Sequence, residues 1–359
     1  MTPETHFMKI LYAIQATGNG HLSRARAIIP LLKNYGQTDL LLSGSQAEIK
    51  LDYPVKYRLN GLSFTFGKTG GIDLWNTYGE ASILRLIQEY ESVDIANYDL
   101  IINDFEPISA WAAQLKNIPC ISLSHQAALL EPAVPLAKDS DTIGRFVLRN
   151  YAPGHERIGF HFESYSPKIL TPVIRPEIRC KTPKNSSHYT VYLPAWDAFE
   201  LAEKLSELKG VKWQIFSKSG QYGSYNKHIT IHPINSDSFS ESVLNSAGVL
   251  CGAGFETPAE ALFLGKKLLV VPMKNQYEQQ CNALALKNLG VPVIKNLKPK
   301  QFQKIKTWID TENAIQLNYP DNRTDALDLV FEKYQNLIKS GKHLEKKFLY
   351  PLLRKRKLA

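Results

Sequence analysis

Short apolar runs alternate with helix-length amphipathic stretches along most of the chain. In the first half, residues 9–14, 39–42, 100–103 and 119–123 read as buried strands, short runs rich in Ile and Leu bounded by polar turns. Residues 22–34 and 108–116 read as helices between them. A second series follows, with strands at 189–193, 211–216, 229–232, 249–251 and 268–271 and helices that include 199–208 and 258–264. Repeated strand–helix units imply parallel sheets covered on both faces, so the fold class is α/β with two doubly wound domains. Between the two series, Pro167, Pro172, Pro176 and Pro183 interrupt any periodicity, which puts the boundary within 165–187. The expected organisation is a first domain at 1–172, a second at 173–338 and a basic segment at 339–359.

Composition narrows the functional classes. A chain of 359 residues with 44% hydrophobic and 21% charged residues suits a soluble protein of two ordinary domains. No apolar run approaches the roughly 18 residues needed to span a bilayer. The polar opening MTPETHF lacks a signal-peptide pattern, so a cytoplasmic location is expected. Cys120, Cys180, Cys251 and Cys281 are scattered without CxxC spacing and read as buried free thiols. The net charge of +9 could suggest nucleic acid, but eight Lys and Arg against one acid lie within 339–359. The body is therefore nearly neutral, and nucleic acid is not an expected partner. The basic tail also carries Phe348, Leu349, Tyr350, Leu352 and Leu353, a mixture that fits an anionic membrane surface or a solvated helix end.

Two stretches carry candidate chemistry. After the strand ending at Cys251, Gly252-Ala253-Gly254 allows a tight turn with exposed amides, followed by Phe255 and a helix start. Thr257 suits the N-cap, Pro258 the first helical position, and Glu260 the third residue after the cap, completing a capping box. Free amides and a helix N-terminus at one spot attract phosphate. After the first strand, Gly18-Asn19-Gly20-His21 opens the helix containing Arg24 and Arg26. That turn places His21 at the carboxyl edge of a sheet, where open α/β folds bind ligands. Imidazole there can act as a general base, or simply pack against its own helix. Asp104 ends the strand LIIND on a neighbouring edge and is the leading carboxylate to orient His21, with Glu106 the substitute and helix capping before Pro107 the structural alternative for Asp104. His125 follows the next strand and should face the same cleft. Ser217, Lys218 and Ser219 follow another strand with hydroxyls, amides and a cation.

Residues 251–283 resemble the donor-sugar half of GT-B glycosyltransferases, especially the UDP-glycosyltransferases and the lipid-linked N-acetylglucosamine transferases. The matching positions are Gly252, Gly254, Thr257, Glu260, Gly265, Pro272, Glu278, Gln279, Asn282 and Ala283. Lys266-Lys267 departs from the small residue and proline usual before the strand. The resemblance implies a GT-B architecture, two Rossmann-like domains facing across a cleft with the last helix crossing back to the first domain. It implies an inverting sugar transfer from a nucleotide diphosphate donor, taken as a UDP-sugar, to a hydroxyl acceptor that could be lipid-linked. His21 would be the base and Asp104 its support. Gly18, Asn19, Gly20 and His125 would meet the acceptor. Gly252, Ala253, Gly254, Phe255, Thr257, Ser217, Lys218 and Ser219 would hold the nucleotide, Glu260 the ribose, and Glu278 with Gln279 the sugar. No metal or other cofactor is expected, since no DxD-like cluster ends a strand. A UDP-sugar epimerase and a non-catalytic nucleotide- or lipid-binding protein are the alternatives.

Overall fold

A computed structural model describes residues 7–44, 51–61, 65–66, 72–73, 88–137, 142–218 and 221–341. Ser219 and the tail at 342–359, including its expected membrane contact, lie outside them.

The first domain contains β1 (Lys9–Gln15), β2 (Gln37–Ser43), β3 (Tyr57–Leu59), a small hairpin of β4 (Thr65–Phe66) and β5 (Ile72–Asp73), then β6 (Leu100–Asp104), β7 (Cys120–Ser124), β8 (Glu156–Phe160) and β9 (Ile169–Leu170). Seven of these form one parallel sheet in the order β3-β2-β1-β6-β7-β8-β9. The second domain contains β10 (His188–Tyr192), β11 (Lys212–Ser217), β12 (Gly223–Asn226), β13 (Ile229–Pro233), β14 (Gly248–Gly252) and β15 (Lys267–Val271). Its sheet runs β12-β13-β11-β10-β14-β15, parallel except for β12 at the edge.

Strands that are apolar at every position are dictated by burial on both faces. Ile10, Tyr12 and Ile14 enter one core cluster and Leu11 and Ala13 another, as the two-residue period of a strand requires. The same division recurs in β14, where Val249 and Cys251 face one cluster and Leu250 the other. Three of the four cysteines are buried as expected, but Cys180 is exposed, because it caps a short turn in the proline-rich connection rather than a core strand.

The helices between strands are α1 (Asn19–Leu32), α2 (Pro107–Lys116), α3 (His125–Ala128), α4 (Thr142–Asn150), α5 (Pro176–Arg179), α6 (Ala198–Ser206), α7 (Ser236–Asn245), α8 (Glu256–Phe263), α9 (Tyr277–Asn288), α10 (Phe302–Asp310) and α11 (Arg323–Ser340). The last of them returns to the first domain, packing on α1 and against β7 and β8. Tyr35 stacks on Phe331 with centroids 4.3 Å apart, and its hydroxyl donates to Asp328 Oδ1 at 2.6 Å. The last described helix, beginning at Arg323, is thus the element that crosses back to the first domain.

Lys266 shows why the usual residue before β15 could be replaced. It is almost fully buried, yet its Nζ donates to the carbonyl oxygens of Lys184 and Ser246 at 2.5 and 2.8 Å and to Asn185 Oδ1 at 3.1 Å. Three acceptors satisfy all three ammonium donors, although burial still pushes the group down to about 8. The side chain thereby ties the start of the second domain to β15.

Both sheets reverse strand order beside their first strand, between β1 and β6 in one and between β10 and β14 in the other. Ligands of open α/β sheets bind outside the carboxyl ends of strands at such points. The two sets of strand ends meet in one cleft.

Candidate active site

The first of these switch points explains the position of His21. Ile14 of β1 pairs in register with Asp104 of β6, so the two chains leave the sheet side by side. Three residues after Gln15 comes Gly18, the extended N-cap of α1, and His21 falls in that helix's first turn. The predicted helix thus starts three residues earlier than its apolar periodicity suggested.

His21 Nδ1 lies 2.8 Å from Asp104 Oδ1. A carboxylate can only accept, so Nδ1 carries the hydrogen and donates it. Nε2 is left with its lone pair. His21 is 13% exposed and lines a cavity of about 430 Å³, whereas Asp104 is fully buried. Burial raises the affinity of the Asp104 carboxyl for a proton, but Arg24 and His21 outweigh it and hold the group below the usual carboxylate range. Asp104 is therefore an anion wherever the protein is folded near neutral pH.

The alternative helix-capping role belongs to Glu106 instead. Its carboxylate accepts from the amides of Ile108 and Ser109 at 2.8 and 2.6 Å at the start of α2. Phe105 between the two acids adopts φ of 57°, a left-handed conformation unfavourable for a bulky residue. That local twist sends Asp104 toward His21 and Glu106 toward its own helix.

Sequence reasoning missed Arg24 as a site residue. Its Nε and Nη2 donate to Asp104 Oδ2 and Oδ1 at 3.0 and 2.6 Å, and its Nη1 donates to Glu256 Oε1 at 2.5 Å. Glu256, also missed, belongs to the second domain and lines the cavity. Spacing alone hinted at the first, since Arg24 lies three residues after His21 on the same helix face.

The opposite wall is built at the second switch point. The expected capping box is not formed: α8 begins at Glu256, its N-cap is Phe255, and no side chain caps it. Thr257 and Pro258 are therefore the second and third helical residues. The third position also lacks an intrahelical acceptor, so Pro258 loses nothing there. By helix geometry, the amides of Glu256 and Thr257 remain available at the cleft. Gly254, Phe255 and Glu256 line the main cavity, and Gly252, Gly254, Thr257 and Gln279 line an adjoining one of about 90 Å³ with Tyr192 and Trp196. Ala253 is buried and contributes a carbonyl rather than a surface. Ser217 ends β11 and is buried, and Lys218 follows it exposed; neither lines these two cavities.

Glu260 is buried, and both of its oxygens are engaged by Arg175, at 2.6 Å from Nε and 2.8 Å from Nη2. The carboxylate thus ties α8 to the connection between the domains, a role that neither a capping box nor ribose binding anticipated. Glu278 accepts from Gln126 Nε2 at 3.0 Å, and Gln279 Oε1 accepts from the amide of Met273 at 2.9 Å.

Several bonds cross the cleft. Asn19 Nδ2 donates to the Tyr192 hydroxyl at 3.4 Å. His125 is buried, with its ring nitrogens 2.8 Å from the Phe160 carbonyl oxygen and 2.7 Å from Asn282 Oδ1. Its ring stacks on Phe255 at 4.0 Å and forms part of the cavity wall. Asn282 also donates to the Ala253 carbonyl at 3.1 Å, so one amide joins the Gly-rich turn to the first domain. Gly18 and Gly20 line the cavity beside His21.

This geometry can be set beside known proteins. The family model described as glycosyl transferase family 1 matches residues 8–311. No curated protein sequence matches the chain. Among solved structures, MurG of Acinetobacter baumannii superposes with a TM-score of 0.54 at 15% identity, covering 91% of this chain and 99% of that one. UGT2 of Phytolacca americana, complexed with UDP-2fluoro-glucose and pterostilbene, gives 0.56 at 14% identity over 92% and 100%. The spinosyn rhamnosyltransferase SpnG gives 0.52 at 14% over 93% and 99%. The fold is thus GT-B, two Rossmann-like domains closing on a cleft. With the family model spanning both domains, the chain belongs to glycosyl transferase family 1 and is a glycosyltransferase.

Proposed function

We propose that the protein is an inverting transferase that moves a sugar from a UDP-sugar to a hydroxyl acceptor, with His21 as general base. The observation that carries this reading is the His21–Asp104 pair at 2.8 Å, turned toward a cavity whose far wall is the N-terminus of α8. His21 Nε2 takes the acceptor proton while the acceptor oxygen attacks the anomeric carbon. The bond to the diphosphate breaks on the opposite face, so configuration inverts. Asp104 holds the tautomer and opposes the charge that develops on the ring. The amides at the start of α8 meet the negative charge of the departing diphosphate. Thr257 with Gly252 and Gly254 forms the nucleotide side. Glu278 and Gln279 address the sugar hydroxyls. UDP as the nucleotide is supported by the match of 251–283 to UDP-sugar enzymes and by the UDP-2fluoro-glucose in the Phytolacca structure.

Incubating the protein with a panel of UDP-sugars and hydroxyl acceptors should yield a glycoside of inverted anomeric configuration, read by proton NMR. A retained configuration would remove the single-displacement mechanism, and isomerised UDP-sugar would make the protein an epimerase.

The acceptor reading extends to a lipid held at an anionic bilayer. Its support is the cluster Arg354, Lys355, Arg356 and Lys357 beside Leu352 and Leu353. Each basic residue near such a surface contributes about 1 kcal/mol. Deleting 352–359 should therefore reduce sedimentation with phosphatidylserine vesicles, more steeply as salt rises, while transfer to a soluble acceptor persists. Equal sedimentation of both proteins would reject membrane binding. Among the described residues, no helix is long and apolar enough to cross a membrane.

A further inference from the structure

The His21–Asp104 pair is not an isolated dyad. Asp104 Oδ1 is shared between His21 Nδ1 and Arg24 Nη2, and Oδ2 is held by Arg24 Nε. A guanidinium bound through two donors cancels most of the aspartate charge. It also sits beside the imidazole, with Nη2 only 3.1 Å from Nδ1. On its own, this arrangement would oppose the positive charge that a general base must accept. A second carboxylate reverses the balance. Glu256 holds Arg24 Nη1 from the other domain.

We propose that Glu256 is a positioning residue of the base: acting through Arg24 and from across the cleft, it makes proton uptake by His21 a neutralising step. The inference rests on His21 being the base. With a neutral imidazole, Arg24, Asp104 and Glu256 sum to one negative charge; with the imidazolium they sum to zero. Without Glu256 the same uptake would carry the group from neutral to positive, around an Arg24 that is 2% exposed and an Asp104 that is fully buried. Charge in so dry a place is costly, so the sign of the cluster matters.

Among the described residues, two further titratable groups bear on the ring. Tyr12 lies beneath on β1, where burial holds its phenol protonated, and Glu278 on α9 reaches the site through Gln126, whose Nε2 is 3.5 Å from His21 Nε2. Neither adds a charge to the Asp104 side of the ring.

The first turn of α1 is shaped for this contact. A Cβ on Gly20 would overlap Glu256 Oε2, so the absence of a side chain there lets the carboxylate descend over the helix start. Because α1 belongs to the first domain and α8 to the second, the base reaches its full charge balance only when the two domains meet.

The test reads His21 directly. In protein carrying nitrogen-15 in its histidine rings, the His21 signals are assigned by their loss in His21→Gln and followed as pH is varied. In Glu256→Gln, which removes the charge but keeps an acceptor for Arg24, the titration midpoint should fall below that of the unaltered protein. In Gly20→Ala, which retains the charge but displaces it, the midpoint should fall by less. An unchanged midpoint in Glu256→Gln, with the variant folded by circular dichroism, would overturn the proposal. If Glu256→Gln does not fold, an unchanged midpoint in Gly20→Ala overturns it instead. Turnover of His21→Ala tests the base itself, so failure of the base and failure of its charge partner give different results.

Discussion

Replacing His21 with alanine lowers turnover by at least about 100-fold and leaves affinity for the nucleotide nearly unchanged. General-base catalysis contributes about 10² to 10⁴ in rate, and His21 lies on the cavity wall with its Nδ1–H held by the buried Asp104 carboxylate, leaving the lone pair on Nε2. The nucleotide is expected on the other wall, at the start of α8 and in the adjoining cavity beside Gly252 and Gln279. Removing the base should therefore act on the chemical step and spare binding. The check is turnover with the UDP-sugar and acceptor found in the screen, together with calorimetric titration of UDP. Wild-type turnover in this variant would exclude His21 as the base.

The second large effect concerns stability. Arg175 and Glu260 form a two-bond ion pair whose side chains are 8% and 6% exposed, at the junction of the interdomain connection and α8. Arg175→Met leaves the Glu260 carboxylate buried without its cation, which costs about 3–5 kcal/mol. Replacing both, as Arg175→Met with Glu260→Leu, removes the stranded charge and should recover much of that loss. Urea denaturation of the two variants checks this, and a double variant as unstable as the single would show that the pair's desolvation was never the dominant cost. The same site separates two roles for Glu260. Glu260→Gln should lower the midpoint of unfolding with UDP affinity unchanged; a UDP affinity roughly tenfold weaker at unchanged stability would give the carboxylate to the ribose.

How the first helix ends shows what was legible and what was not. Its body was plain from the spacing of Leu22, Ala25, Ile28 and Leu32, all buried in the core. Its start was not, because Asn19 and Gly20 carry no apolar signal and the helix is extended by the turn before it. The same difficulty misplaced the start of α8. Thr257-Pro258-Ala259-Glu260 has every local mark of a capping box, yet Phe255 and Glu256 are drawn in ahead of it. Phe255 is held between His125 and Phe162, and Glu256 is held by Arg24. Contacts made across the cleft outweighed a cap worth about 1 kcal/mol.

The candidate site divides in the same way. Gly18 to His21, Asp104 and Gly252 to Gly254 could be found because each follows an apolar strand, and a parallel sheet puts all such ends on one edge. Arg24, Glu256, Gln126 and Arg175 could not. Their partners lie 80, 232, 152 and 85 residues away in the chain.

Sequence by itself determined the alternation of strand and helix, the two-domain division near the proline-rich stretch, and the two Gly-rich turns at strand ends. These follow from local rules: residue period, turn chemistry, and the need of an apolar strand to be covered on both faces. Tertiary structure alone decided which charges meet. It gave Asp104 to both His21 and Arg24, Glu106 to its own helix, and Glu260 to Arg175 rather than to a cap. It also gave the ring nitrogens of His125, on the cavity wall, to Phe160 and Asn282. A side chain's partner depends on the register of two sheets and the angle at which two domains close, and neither quantity is encoded in any one stretch of chain.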